Sequence, residues 1–328
     1  MIRTSVPVSS ALVTIDAIRE AAAGLVGVAE RTPLVPADPL AELAGVPVFL
    51  KLENRQPTGA FKLRGAWTAV RRLPDDARRR GIITYSSGNH GQAVAFAAWR
   101  LGIRAVIVMP ETAPSIKVAG VKRWGGEVEF AGTTSEDRKA RADELIAEQA
   151  LTVIPPFAHH DVIAGQGTVG LEIIEDLPDV RHVAVPVGGG GLIAGITTAI
   201  TALAPDAAVT AVEPIGAAAM GAALRAGRVV RLDRSESLAD GLLPVAVGEL
   251  NFAHVQGRID AVTVDDEAIA AATGWLYRVM QLTVEPSGAA TTAALRVRAI
   301  RPTGPTVLVV SGGNVDPEQV RAFAGEVA

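Results

Sequence analysis

The sequence predicts an α/β protein with two open, mostly parallel twisted sheets and flanking helices. Three observations predict it. Short β-branched runs alternate with longer alanine-rich helical patterns through most of the chain, the signature of parallel strands joined by crossover helices. With 328 residues, 49% of them apolar and 20% charged, the chain can bury a core large enough to divide into two lobes. The stretch 183–204 carries no charge and is long enough to span a membrane, yet Pro186 and the glycines Gly188, Gly189, Gly190 and Gly191 break it into strand, loop and helix.

Taken in order, the first segment has Arg3 but no continuous apolar run behind it, and Asp16, Arg19 and Glu20 soon follow, so no secretory leader is expected. A strand at 48–52 leads into Gln56-Pro57-Thr58-Gly59-Ala60-Phe61-Lys62-Leu63-Arg64-Gly65-Ala66, a tight turn that puts Lys62 at the head of an apolar helix. Arg71, Arg72, Arg78, Arg79 and Arg80, interrupted by Asp75 and Asp76, read as a solvated helix face and turn. Strands at 82–85, 105–109, 127–130 and 152–154, separated by helical patterns such as 92–101 and 135–150, make one compact lobe. A second series, 48–52, 182–187, 209–213, 261–264 and 306–310, makes a larger lobe that is discontinuous in sequence. The expected division is a large unit of residues 1–77 and 159–328, with a small unit of residues 78–158 inserted into it. Gly165-Gln166-Gly167-Thr168-Val169-Gly170 matches the dinucleotide fingerprint literally, but only a short segment containing Asp161 precedes it, so it reads as a loop that starts a helix.

A formal net charge of −4 argues against nucleic acid as the main partner, because phosphate backbones require clustered, unbalanced basic charge. No membrane partner is expected either. The absence of cysteine excludes disulfides, thiolate nucleophiles and Cys-ligated metal, leaving the cytoplasm as the default compartment. His159 and His160 are adjacent and the other histidines scattered, so no metal-ligand spacing is present.

Three places concentrate chemistry. Desolvation lowers a lysine's pKa and frees its amine to form a Schiff base with an aldehyde; Phe61 and Leu63 offer Lys62 dry flanks. Taken alone, such a lysine marks a helix start more often than a nucleophile. Gly188, Gly189, Gly190 and Gly191 stand between a strand and a helix N-terminus, where bare amides and the helix dipole suit a phosphate. Tyr85-Ser86-Ser87-Gly88-Asn89-His90-Gly91 lies at the end of a strand and the start of a helix, either as a ligand loop or as a capping segment. Ser311-Gly312-Gly313-Asn314 repeats that arrangement after the strand at 306–310.

A Schiff-base lysine, a phosphate cradle and a serine after a late strand together match the needs of pyridoxal 5'-phosphate. In PTGAFKLRGA, SSGNHG, VPVGGGGLIAG and SGGNVD, occurring in that order, the chain strongly resembles the fold type II pyridoxal phosphate enzymes (the tryptophan synthase β-like fold) and, within them, the threonine/serine dehydratases and serine racemases. The resemblance implies that Lys62 carries the cofactor, Phe61 packs against its ring, Asn89 bonds its phenolic oxygen, Gly188 to Gly191 hold its phosphate and Ser311 faces its ring nitrogen. It also implies that Ser86, Ser87, Gly88, Asn89 and His90 hold the substrate carboxylate, with Lys62 and Ser87 as the catalytic acid/base groups on opposite faces.

The implied activity is a threonine/serine ammonia-lyase of the catabolic type, yielding 2-oxobutanoate from L-threonine and pyruvate from L-serine. The chain ends soon after Ser311, so the regulatory domain of the isoleucine-inhibited enzymes is not expected. The alternatives are a serine or related amino acid racemase, an ammonia-lyase for another 3-hydroxyamino acid such as 3-hydroxyaspartate, and a non-catalytic cofactor binder. Phe157, in Pro155-Pro156-Phe157, resembles the dehydratase version of that segment. Several members hold a divalent cation with the Glu of V-E-P and an Asp six residues on; here Glu213 is followed at that spacing by Ala219, so no metal is expected there. A homo-oligomer, by default a dimer, is expected by analogy.

Overall fold

The computed structural model describes residues 11–86 and 88–325. Its strands are β1 (Leu34–Pro36), β2 (Val48–Leu52), β3 (Ile82–Tyr85), β4 (Ala105–Met109), β5 (Glu127–Phe130), β6 (Thr152–Val153), β7 (His182–Pro186), β8 (Ala208–Pro214), β9 (Asp260–Val264) and β10 (Thr306–Val310). The helices are α1 (Ile15–Leu25), α2 (Asp38–Ala44), α3 (Lys62–Arg71), α4 (Asp75–Arg80), α5 (Asn89–Leu101), α6 (Ser115–Arg123), α7 (Ser135–Gln149), α8 (His160–Asp176), α9 (Gly191–Leu203), α10 (Ala219–Ala226), α11 (Glu249–Val255), α12 (Asp266–Met280), α13 (Pro286–Arg296) and α14 (Pro317–Phe323). No helix among the described residues is long and apolar enough to cross a membrane.

Two sheets result, in the order β1-β2-β10-β7-β8-β9 and β5-β4-β3-β6. Every pairing is parallel except β1 with β2. β1 is the one strand the sequence does not announce. Pro33 precedes it and Pro36 closes it, and proline, lacking a donor, is tolerated only at a sheet edge. That is where β1 lies.

Both faces of each sheet are covered, so the strands read as continuous apolar runs rather than alternating ones. In β10, Val307 and Val309 face the core shared with α8 and α9, while Leu308 and Val310 face the one shared with α12 and α13. In the smaller sheet Ile107 and Met109 face α5, whereas Val106 and Val108 face α7. The parallel strands end together, and the loops after β3, β7 and β10 carry the polar motifs.

The dinucleotide-like glycines do not form a loop. They lie inside α8, which begins at His160, and they exist for helix packing. A Cβ on Gly165 would stand 2.5 Å from the Arg64 carbonyl oxygen and 2.6 Å from Gly65 Cα, and one on Gly170 would stand 2.8 Å from Ala199 Cβ. On α9, a Cβ on Gly195 would meet the Gly167 amide nitrogen at 2.4 Å. The glycines thus bring α8 into backbone contact with α3 on one side and α9 on the other, tying the helix that carries Lys62 to the one that follows the glycine loop.

Because the atoms opposing Gly165 are backbone, they cannot swing aside. Gly165→Ala should lower the unfolding free energy by about 1–3 kcal/mol, measured by urea denaturation followed by circular dichroism.

Candidate active site

Lys62 is the first residue of α3, set there by a turn in which Gly59 adopts φ 73°, a conformation that disfavours a side chain. The turn is fastened to the end of β10: the Phe61 amide donates to the Ser311 carbonyl at 3.1 Å, and Ala60 bridges to Gly312. Ser311 is buried. Lys62 Nζ donates to the Pro156 carbonyl at 2.7 Å and lies 5.2 Å from the centre of the Phe61 ring. Burial pulls its pKa down to about 8. About a tenth of the amine is therefore neutral at pH 7, far more than a solvated lysine offers.

The next residue links this amine to the glycines. Phe157 lies against Gly189 so closely that a Cβ on Gly189 would stand 2.2 Å from Cδ1 of its ring, and one on Gly191 would stand 3.1 Å from its carbonyl oxygen. Gly190 has φ 86° and precedes the first residue of α9. Asn251 Nδ2 and the Gly248 amide both donate to the Gly189 carbonyl, at 2.6 and 3.1 Å, which holds the loop in place. The first bond of the helix runs from Ala194 to the Gly190 carbonyl, so the amides at its head have no carbonyl of their own helix to meet. Glycine is required here twice over, by packing against Phe157 and by the bare amide surface it leaves. A phosphate-bearing aldehyde suits this set of donors, one end for the amides and the other for the amine.

The loop after β3 reaches the lysine turn and the 154–156 segment. Gly88 donates its amide to Ser86 Oγ at 3.2 Å, and Asn89 opens α5. Ser87 lies outside the described residues. Asn89 is held at both ends of its amide: Nδ2 donates to Glu285 Oε1 at 2.5 Å, and Oδ1 accepts from Asn314 Nδ2 at 2.8 Å. Asn314 also donates to the Thr58 carbonyl at 2.8 Å, joining this loop to the lysine turn. His90 is buried, and its Nε2 lies 3.1 Å from the Ile154 carbonyl; a carbonyl only accepts, so this nitrogen carries the proton. Burial, and then Lys62, push the His90 pKa down to about 3, which keeps it neutral. Through Ile154 it steadies the segment whose Pro156 receives Lys62.

Glu285 and Lys117 have no local sequence signal. Glu285, just ahead of α13, is driven up to about 7 by burial, with Lys117 pulling the other way, Asp240 adding to the rise and the Asn89 bond opposing it. Lys117 of α6 pairs with Asp240. Arg138 is half-buried on α7, and burial lowers its pKa.

Glu213 is taken up by the backbone. Its two oxygens accept the amides of Met220 and Gly221, at 2.7 and 2.8 Å, at the start of α10. Burial raises its pKa to about 7 against those two bonds. With Ala219 beside it, this donor set does not fit a hard divalent ion.

Residues 27–312 match the model of the family described as pyridoxal-phosphate dependent enzyme. An L-threonine ammonia-lyase of Thermotoga maritima is 39% identical over 94% of this chain and 77% of its own. The structure of maize serine racemase superposes with a TM-score of 0.91 at 36% identity, covering 95% of this chain and 97% of that one. The serine racemase of Dictyostelium discoideum superposes with a TM-score of 0.86 at 35% identity, covering 93% and 100%.

Lys62 releases its proton at lower pH folded than unfolded, so the cost of burying its charge is fully present below pH 8 and is relieved as pH rises towards 10.5. In cofactor-free protein, Lys62→Met should raise Tm near pH 7, and the gain should shrink by about pH 10 in parallel melts. Because Glu213 is committed to α10, chelator followed by magnesium should leave turnover nearly unchanged; a large magnesium-dependent gain would contradict this reading.

Proposed function

The chain belongs to the pyridoxal-phosphate dependent enzyme family, and we propose that it is a threonine/serine ammonia-lyase of the catabolic type, converting L-threonine to 2-oxobutanoate and ammonia and L-serine to pyruvate and ammonia. The observation that carries this reading is the half-buried amine of Lys62, bonded to the Pro156 carbonyl next to the residue that packs on the glycine loop. In this reading Lys62 and Phe61 meet the cofactor's aldehyde and ring, the amides at Gly188 to Gly191 hold its phosphate, Asn89 its phenolic oxygen and Ser311 its ring nitrogen. Bound there, pyridoxal 5'-phosphate supplies an electron sink for the negative charge that develops at the substrate α-carbon.

The chain's own residues do the rest. The head of α5 offers the amides of Asn89 and His90 to the substrate carboxylate, with Ser86, Ser87 and Gly88 completing the loop. Lys62 Nζ, once free, takes the α-proton; its lowered pKa keeps a usable neutral fraction. Ser87, assigned to the opposite face, hands a proton to the departing β-hydroxyl, which leaves as water. The released enamine is hydrolysed by water to the oxo acid and ammonia. A neutral hydroxyl at Ser311 does not enforce ring protonation, which suits elimination.

A racemase of serine or a related amino acid would use the same groups, Ser87 returning a proton to the α-carbon. Phe157 favours the lyase: its ring fills the space against Gly189, and the segment resembles the dehydratase version. The four-stranded sheet falls within residues 82–153. This supports the division into a small unit of 78–158 and a large one of 1–77 and 159–328. A cytoplasmic homodimer acting in amino acid breakdown completes the proposal.

The test is incubation of the purified holoenzyme with L-threonine, L-serine and 3-hydroxyaspartate in heavy water, followed by NMR. Oxo acid and ammonium are expected from threonine. Deuterated D-amino acid without oxo acid would replace the lyase by the racemase, and an unchanged spectrum with cofactor bound would overturn both.

A further inference from the structure

The first turn of α3 holds a second cation that the reaction does not use. Arg64, two residues after Lys62, is 1% exposed. A cation there opposes the partial positive charge of the helix N-terminus, so something other than the helix must hold it. Its guanidinium is gripped from three sides. Nε and Nη2 fork onto Glu53, each at 2.8 Å; Nη1 and Nη2 reach the two oxygens of Glu172 at 2.6 and 2.9 Å; Nη1 also donates to Thr168 Oγ1 at 3.1 Å and Nη2 to the Glu30 carbonyl at 3.2 Å. Lys51, fully buried, donates to Glu172 at 2.7 Å and to the Thr32 carbonyl at 2.7 Å. Thr32 in turn donates to Glu53 at 2.6 Å. Two cations thus face Glu53 and Glu172, with Asp176 a further 3.8 Å from Lys51.

Burial alone would raise the pKa of Glu53 and lower that of Arg64, but the pair overrides it in both, so both stay charged. The cluster joins the end of β2, the interior of α8 and the head of α3. Such a cluster is poor evidence for stability, because desolvation offsets most of the attraction and apolar replacements often do as well. What it provides is geometry. A forked guanidinium has one orientation against each carboxylate, so the first turn of α3 is fixed in rotation and in height, with Gly65 and Gly165 in backbone contact beside it.

We propose that Arg64, held by Glu53 and Glu172, is the positioning residue for the Lys62 amine, setting its reach to the Pro156 carbonyl and to the cofactor. The proposal rests on Lys62 being the cofactor lysine. Displacement of this turn by an ångström costs turnover steeply, because the amine must stay within bonding reach of the reacting atoms.

The test uses the holoenzyme and Arg64→Lys, which keeps the charge and loses the fork. Two readouts are taken besides melting: the fraction of Lys62 covalently modified on borohydride reduction, by peptide mass, and the split between kcat and KM. The expected result is a cooperative melt, a reduced modified fraction, kcat lower by about tenfold or more and KM within about threefold. Wild-type trapping and kcat in Arg64→Lys would overturn the proposal. If Arg64→Lys does not fold, Glu172→Gln, which keeps the fork to Glu53, decides by the same readouts. Wild-type protein unmodified at Lys62 would instead refute the cofactor lysine itself.

Discussion

A half-buried lysine amine with no carboxylate beside it is the constraint on which this site depends. Among the described residues Lys62 Nζ bonds the Pro156 carbonyl, and the lost solvation lowers its pKa rather than being compensated by a carboxylate. A nearby acid would have restored the ammonium and silenced the amine. The carboxylates that do stand close to α3, Glu53 and Glu172, are engaged by Arg64 and Lys51. One helix turn therefore presents a neutralised cation to the core and an under-solvated one to the cleft.

The surroundings are arranged to keep that turn still. Glycines remove the side chains that would separate α3, α8 and α9, so the lysine helix and the helix behind the glycine loop are packed backbone to backbone through α8. Asn314 and Asn89 then relate the lysine turn to the head of α5. His90 and Lys62 grip the 154–156 segment from two sides, through the Ile154 and Pro156 carbonyls. The site is a meeting of chain segments, each too short to be rigid alone.

Much of this was legible in advance because it is local. Strands at 48–52 and 306–310 have the expected bounds, since a buried parallel strand shows as an uninterrupted apolar run. The lysine turn, the SSGNHG loop and the four glycines are each contained in a few residues that carry their own turn and helix-start chemistry. β1 was not legible, because three residues between prolines carry no period, and the glycines of α8 imitated a fingerprint because close helix packing and phosphate binding both demand the smallest residue.

The sequence by itself determined the fold class, the order of the motifs and the chemistry offered by Lys62, the glycine loop and Ser311, since these follow from residue type and immediate neighbours. Only the tertiary structure decided which partners those residues meet. Glu285 reaches Asn89 across 196 residues and Glu172 reaches Arg64 across 108, and neither has a sequence neighbour that signals it. A buried charge's pKa and orientation depend on what faces it after folding, and separation along the chain carries no record of that.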